Sequence, residues 1–414
     1  MKHMNEFQLH IGIKMRFYPS YAQKRISTRN TGTSLFVYNR MVALNNERYE
    51  LRKYAWCSPA YRDRLDYLDT VLSSLEEFQN AIPFLNDKDI DAQCIANARQ
   101  NYHKAWDNFK KNPASGVPVF HKKKYHTSYQ TNPHYYKNGG CNVYFTDRHH
   151  IMIPKLGRCR VKGSPKIMEK LFSMINDIRF GTITVSRDAC GRYFISIQIA
   201  SDRPLHDILP SAGSMRGYDM NLENYYTDSD GNIVDNPRYK RNIQDRLSKL
   251  QRKLSRRAER AKREGRSLRL SRNYQHIRRK VAYLQDKISS RREDFQHVLS
   301  RHEVESQDYM FVENLKTKNL MKNHKLAYAI SDAAWGNFHH MLEYKASMYG
   351  KKFLKVPASL TSQTCSDCGY VLPKDQRLKL SDREWVCPDC GVYHHRDHNA
   401  AKVVLFRGMA ALEM

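Results

Sequence analysis

The sequence predicts a multidomain α/β and β protein: a small N-terminal β-barrel or sandwich carrying a helical insertion, followed by an α/β domain with a metal-binding ribbon inserted late. Three observations predict it. A strand-like alternation at residues 9–17 gives way to helical periodicity and then to short β-rich runs between glycines and prolines. Beyond residue 212, apolar strand-like runs alternate with helical ones. Near the end, Cys365 and Cys368 form one Cys-x-x-Cys pair, Cys387 and Cys390 form a second, and 18 residues separate the pairs.

The first strand reads LHIGIKMRF, apolar and polar in turn, and Pro19 ends it. From Ala22 to Lys110, segments such as TSLFVYNRMVALNNERYELRK and IDAQCIANARQNYHKAWDNFKK place apolar residues three and four apart, giving a helical domain of three or four helices over 21–111. Between Asn112 and Arg203 the runs CNVYFTDRHHIMIPKLGRCRVKG and IRFGTITVSRDACGRYFISIQIA read as short strands with turn signals. Residues 1–20 then join 112–205 in one barrel-like domain, with the helices inserted into it. Lys122, Lys123 and Lys124, with Tyr125 and Tyr129 nearby, offer cations for phosphates and rings for stacking, although a basic turn facing water has the same composition.

Residues 204–213 read as a linker into a domain over 212–414. SMRGYDMNLENYYTDSDGNIV parses as a strand ending at Asp219, a second strand NYYTD, a turn and a third strand. Residues 238–292 hold 21 Lys or Arg against 4 Asp or Glu, and two series, Ile243 to Leu254 and Tyr274 to Ile288, repeat at helical spacing on either side of Gly265. That pattern predicts a basic helical hairpin over 238–300 with a thin apolar seam. Arg252, Arg256, Arg260 and Arg263 fall on one face and suit phosphates. YMFVENL is a strand whose apolar body ends in Glu313, a helix is expected from Ile330 to Tyr349, and KKFLKVP leads as a strand into the ribbon.

The ribbon spans 361–394. Each Cys pair presents two thiols at one turn, Gly369 and Gly391 permit the positive φ of such a knuckle, and four sulfurs make the closed tetrahedron that Zn²⁺ prefers. A closed site of this kind holds a fold together and performs no chemistry. The other five cysteines, Cys57, Cys94, Cys141, Cys159 and Cys190, lack pairing spacing and read as reduced thiols. The sequence is too long for a peptide module, and 70 Lys and Arg against 42 Asp and Glu imply a polyanionic partner, nucleic acid first. No apolar run has the length of a membrane span and the N-terminus lacks a signal-peptide core, so a cytoplasmic protein, nucleoid-associated when bound to DNA, is expected.

Chemistry has to come from carboxylates. Asp219 ends the first strand of the last domain, Glu313 ends a later one, and Asp397 opens the terminal helix in HRDHNAA. If the first and fourth strands are neighbours with the last helix against them, the three converge. Three acids together repel unless cations join them, so the pattern suits a pair of Mg²⁺ ions that activate water and stabilise a leaving 3′-oxygen in phosphodiester hydrolysis. Helix caps and structural carboxylates remain the alternative reading of each residue alone.

GYDMNL, VENLKTKNL, SDAAWGNFHHMLEYKASMYG, TSQTCSDCGY, EWVCPDCG and HRDHNAA, with KMRFYPS, VYNRMVALNN and IPKLGRCRVKG in the N-terminal half, resemble the TnpB (OrfB) family of insertion-sequence transposons, relatives of the type V CRISPR effector nucleases. The likeness spans nearly the whole chain and is densest after residue 210. It implies a RuvC-like nuclease domain of the ribonuclease H fold, a guide RNA derived from the transposon end, and cleavage of double-stranded target DNA beside a short adjacent motif. It puts the catalytic acids at Asp219, Glu313 and Asp397 and the zinc ligands at Cys365, Cys368, Cys387 and Cys390, and it gives the N-terminal domains the guide RNA and the adjacent motif. Tyr218 and Asn221 depart from the Ile or Val and the Gly that members often carry, and His395 stands where many carry Asp; Arg396 beside it is a further cation for nucleic acid. Two other functions compete with nuclease activity: an RNA-guided DNA-binding repressor without cleavage, and a conventional transposase that needs no RNA.

Overall fold

The computed structural model describes residues 2–122, 125–204, 206–379 and 381–413, and the chain divides into two compact units, Met1–Leu205 and His206–Met414.

In the first unit, β1 (Leu9–Phe17) lies inside a seven-stranded antiparallel sheet. The chain then leaves that sheet for helices α1 (Tyr21–Arg52), α2 (Pro59–Ser73), α3 (Leu75–Asn80) and α4 (Ala92–Lys111). It returns as β2 (Thr127–Thr131), β3 (Tyr144–Asp147), β4 (His150–Ile153) and β5 (Gly157–Lys162), passes through α5 (Pro165–Ser173), and ends in β6 (Arg179–Arg187) and β7 (Tyr193–Ser201). The strand order is β2-β6-β7-β1-β5-β4-β3. β1 pairs with β7 along its full length, from Leu9 opposite Ser201 to Phe17 opposite Tyr193. Strand alternation turns Ile13, Met15 and Phe17 inward to meet Ile183, Val185, Ile195 and Ile197. The helices have a core of their own around Val37, Met41, Leu68, Phe78 and Ile95. α1 starts where it does because Ser20 and Gln23 form a reciprocal cap, the Ser20 hydroxyl accepting from the Gln23 amide and the Gln23 side chain from the Ser20 amide.

The second unit opens with an antiparallel meander, β8 (Met215–Asp219), β9 (Asn224–Asp228) and β10 (Ile233–Asp235). Helices α6 (Gln244–Arg263) and α7 (Arg272–Ser306) lead to β11 (Tyr309–Glu313), which pairs parallel with β8. Helices α8 (Thr317–Leu320), α9 (His324–Ala333) and α10 (Trp335–Tyr349) lead to β12 (Lys352–Val356), parallel to β11. The sheet order β10-β9-β8-β11-β12 makes the first and fourth strands neighbours. After the cysteine segment, with its hairpin β13 (Glu384–Val386) and β14 (Tyr393–His395), the chain ends in α11 (Arg396–Glu413).

The two faces of this sheet carry different cores. Tyr218, Met310 and Val312 point toward Val304 of α7 and Phe338 and Leu342 of α10. Phe311 and Val356 point the other way, toward Val404 of α11. α11 lies so close to β8 that a Cβ on Gly217 would stand 2.3 Å from the Ala401 carbonyl oxygen. The single helix expected from Ile330 to Tyr349 is two: Ala334 takes φ 50°, in the left-handed region, its carbonyl accepts from the Asn337 and Phe338 amides of α10, and buried Gln296 of α7 donates to the carbonyls of Ala333 and Ala334 at 3.1 Å each. The basic hairpin is two packed helices whose seam joins Leu247 to Ile277, Val281, Leu284 and Ile288, with Ile243, Leu250 and Leu254 beside them.

Candidate active site

Strand periodicity and register bring two of the three acids together. Along β8, Met215, Gly217 and Asp219 share the face opposite Tyr218; along β11, Tyr309, Phe311 and Glu313 share the face opposite Val312. In the parallel register Tyr218 stands opposite Val312, so Asp219 and Glu313 follow side by side at the carboxyl ends of neighbouring strands, on the α11 face. Asp397, in the first turn of α11, lies on that same face. Ligands of α/β sheets characteristically bind outside the carboxyl ends of parallel strands.

The three carboxylates are coupled electrostatically. Burial raises Asp219 well above the usual carboxylate range, and the charges of Glu313 and then Asp397 push it further; Arg396 and Arg383 act against this. Burial also raises Glu313, opposed by a hydrogen bond from Thr361 and by the charge of Arg407. Two oxygens of Asp397 are shared with guanidiniums: Arg383 Nη1 reaches Oδ2 at 3.1 Å, and Arg396 Nη2 reaches Oδ1 at 3.2 Å. Arg383 also grips Glu223 through its other terminal nitrogen. Oxygen donors that repel one another suit a hard divalent cation, which would relieve the strain on Asp219. The acids are not drawn into so tight a cluster as the four thiols of the cysteine segment, and any cation held by Asp397 shares it with two arginines.

The cysteine segment closes on itself. The Cys365 amide donates to Tyr370 O and the Gly369 amide to Cys365 O; Cys387 with Val392 and Gly391 with Cys387 repeat the arrangement. Gly369 and Gly391 take φ 77° and 73°, as two knuckles require. Sγ of Cys365 is 3.7 Å from that of Cys390, and Sγ of Cys368 is 3.7 Å from that of Cys387. A tetrahedral ion with metal–sulfur bonds of ~2.3 Å has sulfur–sulfur edges of about 3.8 Å. Two edges of the four-thiol cluster match that figure, and all four sulfurs lie within 4.8 Å of one another, so the cluster could hold a metal ion. His394 Nε2 approaches Cys365 Sγ at 3.1 Å, where it can donate to a metal-bound thiolate.

The remaining sequence candidates separate by exposure. Arg252, Arg256, Arg260 and Arg263 are all exposed on α6. Lys122 and Tyr125 are exposed, while Lys123 and Lys124 lie outside the described residues. Tyr129 corrects the surface reading: it occupies an inward position of β2 and is 1% exposed. Arg396 is also turned inward, its guanidinium spent on Asp397 and the Lys379 carbonyl, so it meets a carboxylate where a phosphate contact was expected. Thr361, Arg383 and Asn399 were not singled out in the sequence: Thr361 and Asn399 lie within the motifs TSQTCSDCGY and HRDHNAA, and Arg383 just before EWVCPDCG, but the partner of each stands at a long chain separation.

A model of the OrfB family of IS605-type elements, described as "Probable transposase", matches residues 199–324 and so contains Asp219 and Glu313. A model described as "Cas12f1-like, TNB domain" matches 335–404, covering the four cysteines and Asp397. A protein of Streptomyces pristinaespiralis named "Putative RNA-guided DNA endonuclease" is 30% identical over 407 residues, 98% of this chain and 90% of its own length. The chain belongs to the TnpB (OrfB) family. A second member, InsQ of Escherichia coli K12, carrying the same description, is 28% identical across 96% of this chain and 92% of its own. In fold, this TnpB-family chain is similar to the protein of a solved Cas12f1–sgRNA–target DNA complex, with a TM-score of 0.51 at 12% identity, covering 96% of this chain and 98% of that one. A further model, described as a helix-turn-helix domain, matches residues 4–53; there the structure has a 3-10 turn at Met4–Glu6, the strand β1 and the 32-residue helix α1.

Proposed function

We propose that the chain is an RNA-guided DNA endonuclease of an insertion-sequence transposon, hydrolysing phosphodiester bonds at Asp219, Glu313 and Asp397. The observation that carries this reading is the register of β8 and β11, which brings Asp219 and Glu313 to the ends of neighbouring strands on the face where the first turn of α11 carries Asp397. The kinship with proteins named as RNA-guided DNA endonucleases supports the substrate class. The mixed sheet flanked by helices supports a ribonuclease H-like, RuvC-type nuclease domain over 212–414, with the basic hairpin at 238–300 and a zinc ribbon at 361–394 as insertions.

Divalent cations at the acids, Mg²⁺ in this reading, would supply Lewis acidity toward the attacking water and the leaving 3′-oxygen. The protein's own part is to hold three carboxylates whose mutual repulsion favours cation uptake, and to keep Asp397 oriented between Arg383 and Arg396. Cys365, Cys368, Cys387 and Cys390 would hold one Zn²⁺ in a closed, structural site. The sheet of 1–20 and 112–205 and the helices of 21–111 would carry guide RNA from the transposon end and read the motif beside the target, with Lys122, Lys123, Lys124 and Tyr125 among the contacts. Arg252, Arg256, Arg260 and Arg263 would follow phosphates.

Expression with the flanking transposon end, sequencing of the copurified RNA, and cleavage of a plasmid library carrying the matching target test this. Asp219→Ala, Glu313→Ala and Asp397→Ala are each expected to reduce cleavage by ~10³-fold or more while guide RNA and target are still bound. Cutting by the complex without the RNA, or by all three variants, refutes the reading.

A further inference from the structure

The cysteine segment is stitched to the candidate catalytic acids by hydrogen bonds that a purely structural metal site does not need. Thr361 lies four residues before Cys365, in a 3-10 turn entered through Leu360 at φ 60°. Its hydroxyl donates to Oε1 of Glu313; the Ala358 carbonyl, at 3.4 Å, is the more distant acceptor. Thr361 is 4% exposed and Glu313 6%, so water does not substitute freely for that contact. The turn before Thr361 is pinned from the other side, Arg407 of α11 donating to the carbonyls of Pro357 at 2.8 Å and Ser359 at 2.7 Å. Past the turn, buried Asn399 of α11 accepts from the Ser366 amide at 2.8 Å and donates to Thr364 O at 2.7 Å. The first knuckle is thus held between Glu313 and α11, the helix whose first turn carries Asp397.

We infer that Thr361 is a positioning residue for divalent-cation binding: its hydroxyl fixes the Glu313 carboxylate through one oxygen and leaves the other for the cation, making cation affinity depend on the fold of the cysteine ribbon. The inference rests on the reading of Glu313 as a metal-binding acid. Partners that orient a metal's ligands typically contribute ~10–100-fold to its affinity. A valine at 361 fills nearly the same space and removes the donor; a serine keeps it.

The test uses the purified, zinc-loaded full-length chain with Mn²⁺ as probe, free Mn²⁺ being read by electron paramagnetic resonance, alongside zinc content and Tm. Thr361→Val is expected to weaken Mn²⁺ binding about tenfold with zinc still at about one per chain, and Thr361→Ser to bind as wild type does. Glu313→Ala is the control for the underlying reading, expected to lose that Mn²⁺ site. If Glu313→Ala binds Mn²⁺ normally, the assignment of the acids fails; if it loses the site but Thr361→Val does not, only the role of Thr361 fails. Equal weakening by valine and serine, or loss of zinc together with Mn²⁺ in Thr361→Val, gives Thr361 a role in the ribbon's fold alone and overturns the inference.

Discussion

Glu303 of α7 accepts a hydrogen bond from the Tyr218 hydroxyl at 2.6 Å, one residue before the candidate catalytic Asp219. The same carboxylate accepts from the Tyr226 hydroxyl at 2.7 Å and pairs with Arg216 at 3.2 Å, all beneath the sheet. Tyr218, a departure from the aliphatic residue that the family resemblance led us to expect, is thereby explained: its ring fills the core and its hydroxyl reaches a buried anion. Glu303→Ala would strand two buried hydroxyls, while Arg216 keeps Asp230 at 2.6 Å and Asp228 at 3.4 Å, and we expect it to lower unfolding stability by ~2–6 kcal/mol, about 1–3 for each hydroxyl. Tyr218→Phe removes a single bond to a charged acceptor and should cost ~1.5–3 kcal/mol. Urea denaturation of the two variants orders them; a Tyr218→Phe loss equal to that of Glu303→Ala contradicts the network.

Gly217 makes room for a helix. A Cβ there would meet the Ala401 carbonyl oxygen at 2.3 Å and the Leu405 amide nitrogen at 2.5 Å, both backbone atoms of α11 that no rotamer change can move aside. Gly217→Ala is expected to push α11 off β8, lowering stability by ~1–3 kcal/mol and reducing cleavage further than stability alone explains, because α11 carries Asp397. Tm and the cleavage rate well below Tm are the two measurements, and a variant with lowered Tm but unimpaired cleavage separates the helix packing from the site.

Lys345 of α10 is buried against α7, donating to His297 O at 2.7 Å and Ser300 Oγ at 2.8 Å. Burial first, and then the charge of Arg301, push its ammonium down from 10.5 to about 8. Between those values the unfolded chain holds a proton that the folded chain has released, so this residue makes stability rise with pH across that window. Below about 8 the folded chain bears a buried charge. Lys345→Met should therefore gain most over wild type at pH 7 and least at pH 10.5, whatever constant offset comes from its lost hydrogen bonds. Tm differences between variant and wild type across that range check the sign, and a difference independent of pH contradicts it.

The strands β1, β8, β9, β11 and β12, the two helices of the basic hairpin, and the clustering of the four thiols were legible because each is written in a local signal: alternation, a helical repeat, a short motif. The neighbourhood of Asp219 and Glu313 was legible only as a condition on strand order, which the parallel pairing of β8 with β11 meets. What escaped the sequence is tertiary. Ala334 reads as a strong helix former, yet Trp335 is buried and Gln296 accepts the task of capping the break, so packing overrides propensity. Tyr129 looked like a stacking ring because its neighbours are basic, whereas the parity of β2 turns it inward. Arg396 looked like a phosphate ligand, but a buried carboxylate one residue away takes its guanidinium first.

The exposed side of α6 makes a quantitative statement about nucleic acid. Arg252, Arg256, Arg260 and Arg263 recur at intervals of three and four residues on a helix whose other side is the apolar seam with α7. Arg260 pairs with Glu264 at 2.8 Å, but that pair is open to solvent and yields readily to a phosphate. If these cations follow a duplex, each phosphate contact releases counterions and steepens the fall of log K with log salt by ~0.9. Replacing Arg252, Arg256 and Arg260 with Gln should then flatten the slope by about 2 to 3 and weaken binding alike for every target, since phosphates carry no sequence. Titrations of wild type and the triple variant at several salt concentrations measure it. An unchanged slope would make α6 a solvated face, and weakening confined to certain targets would make it a reader of bases.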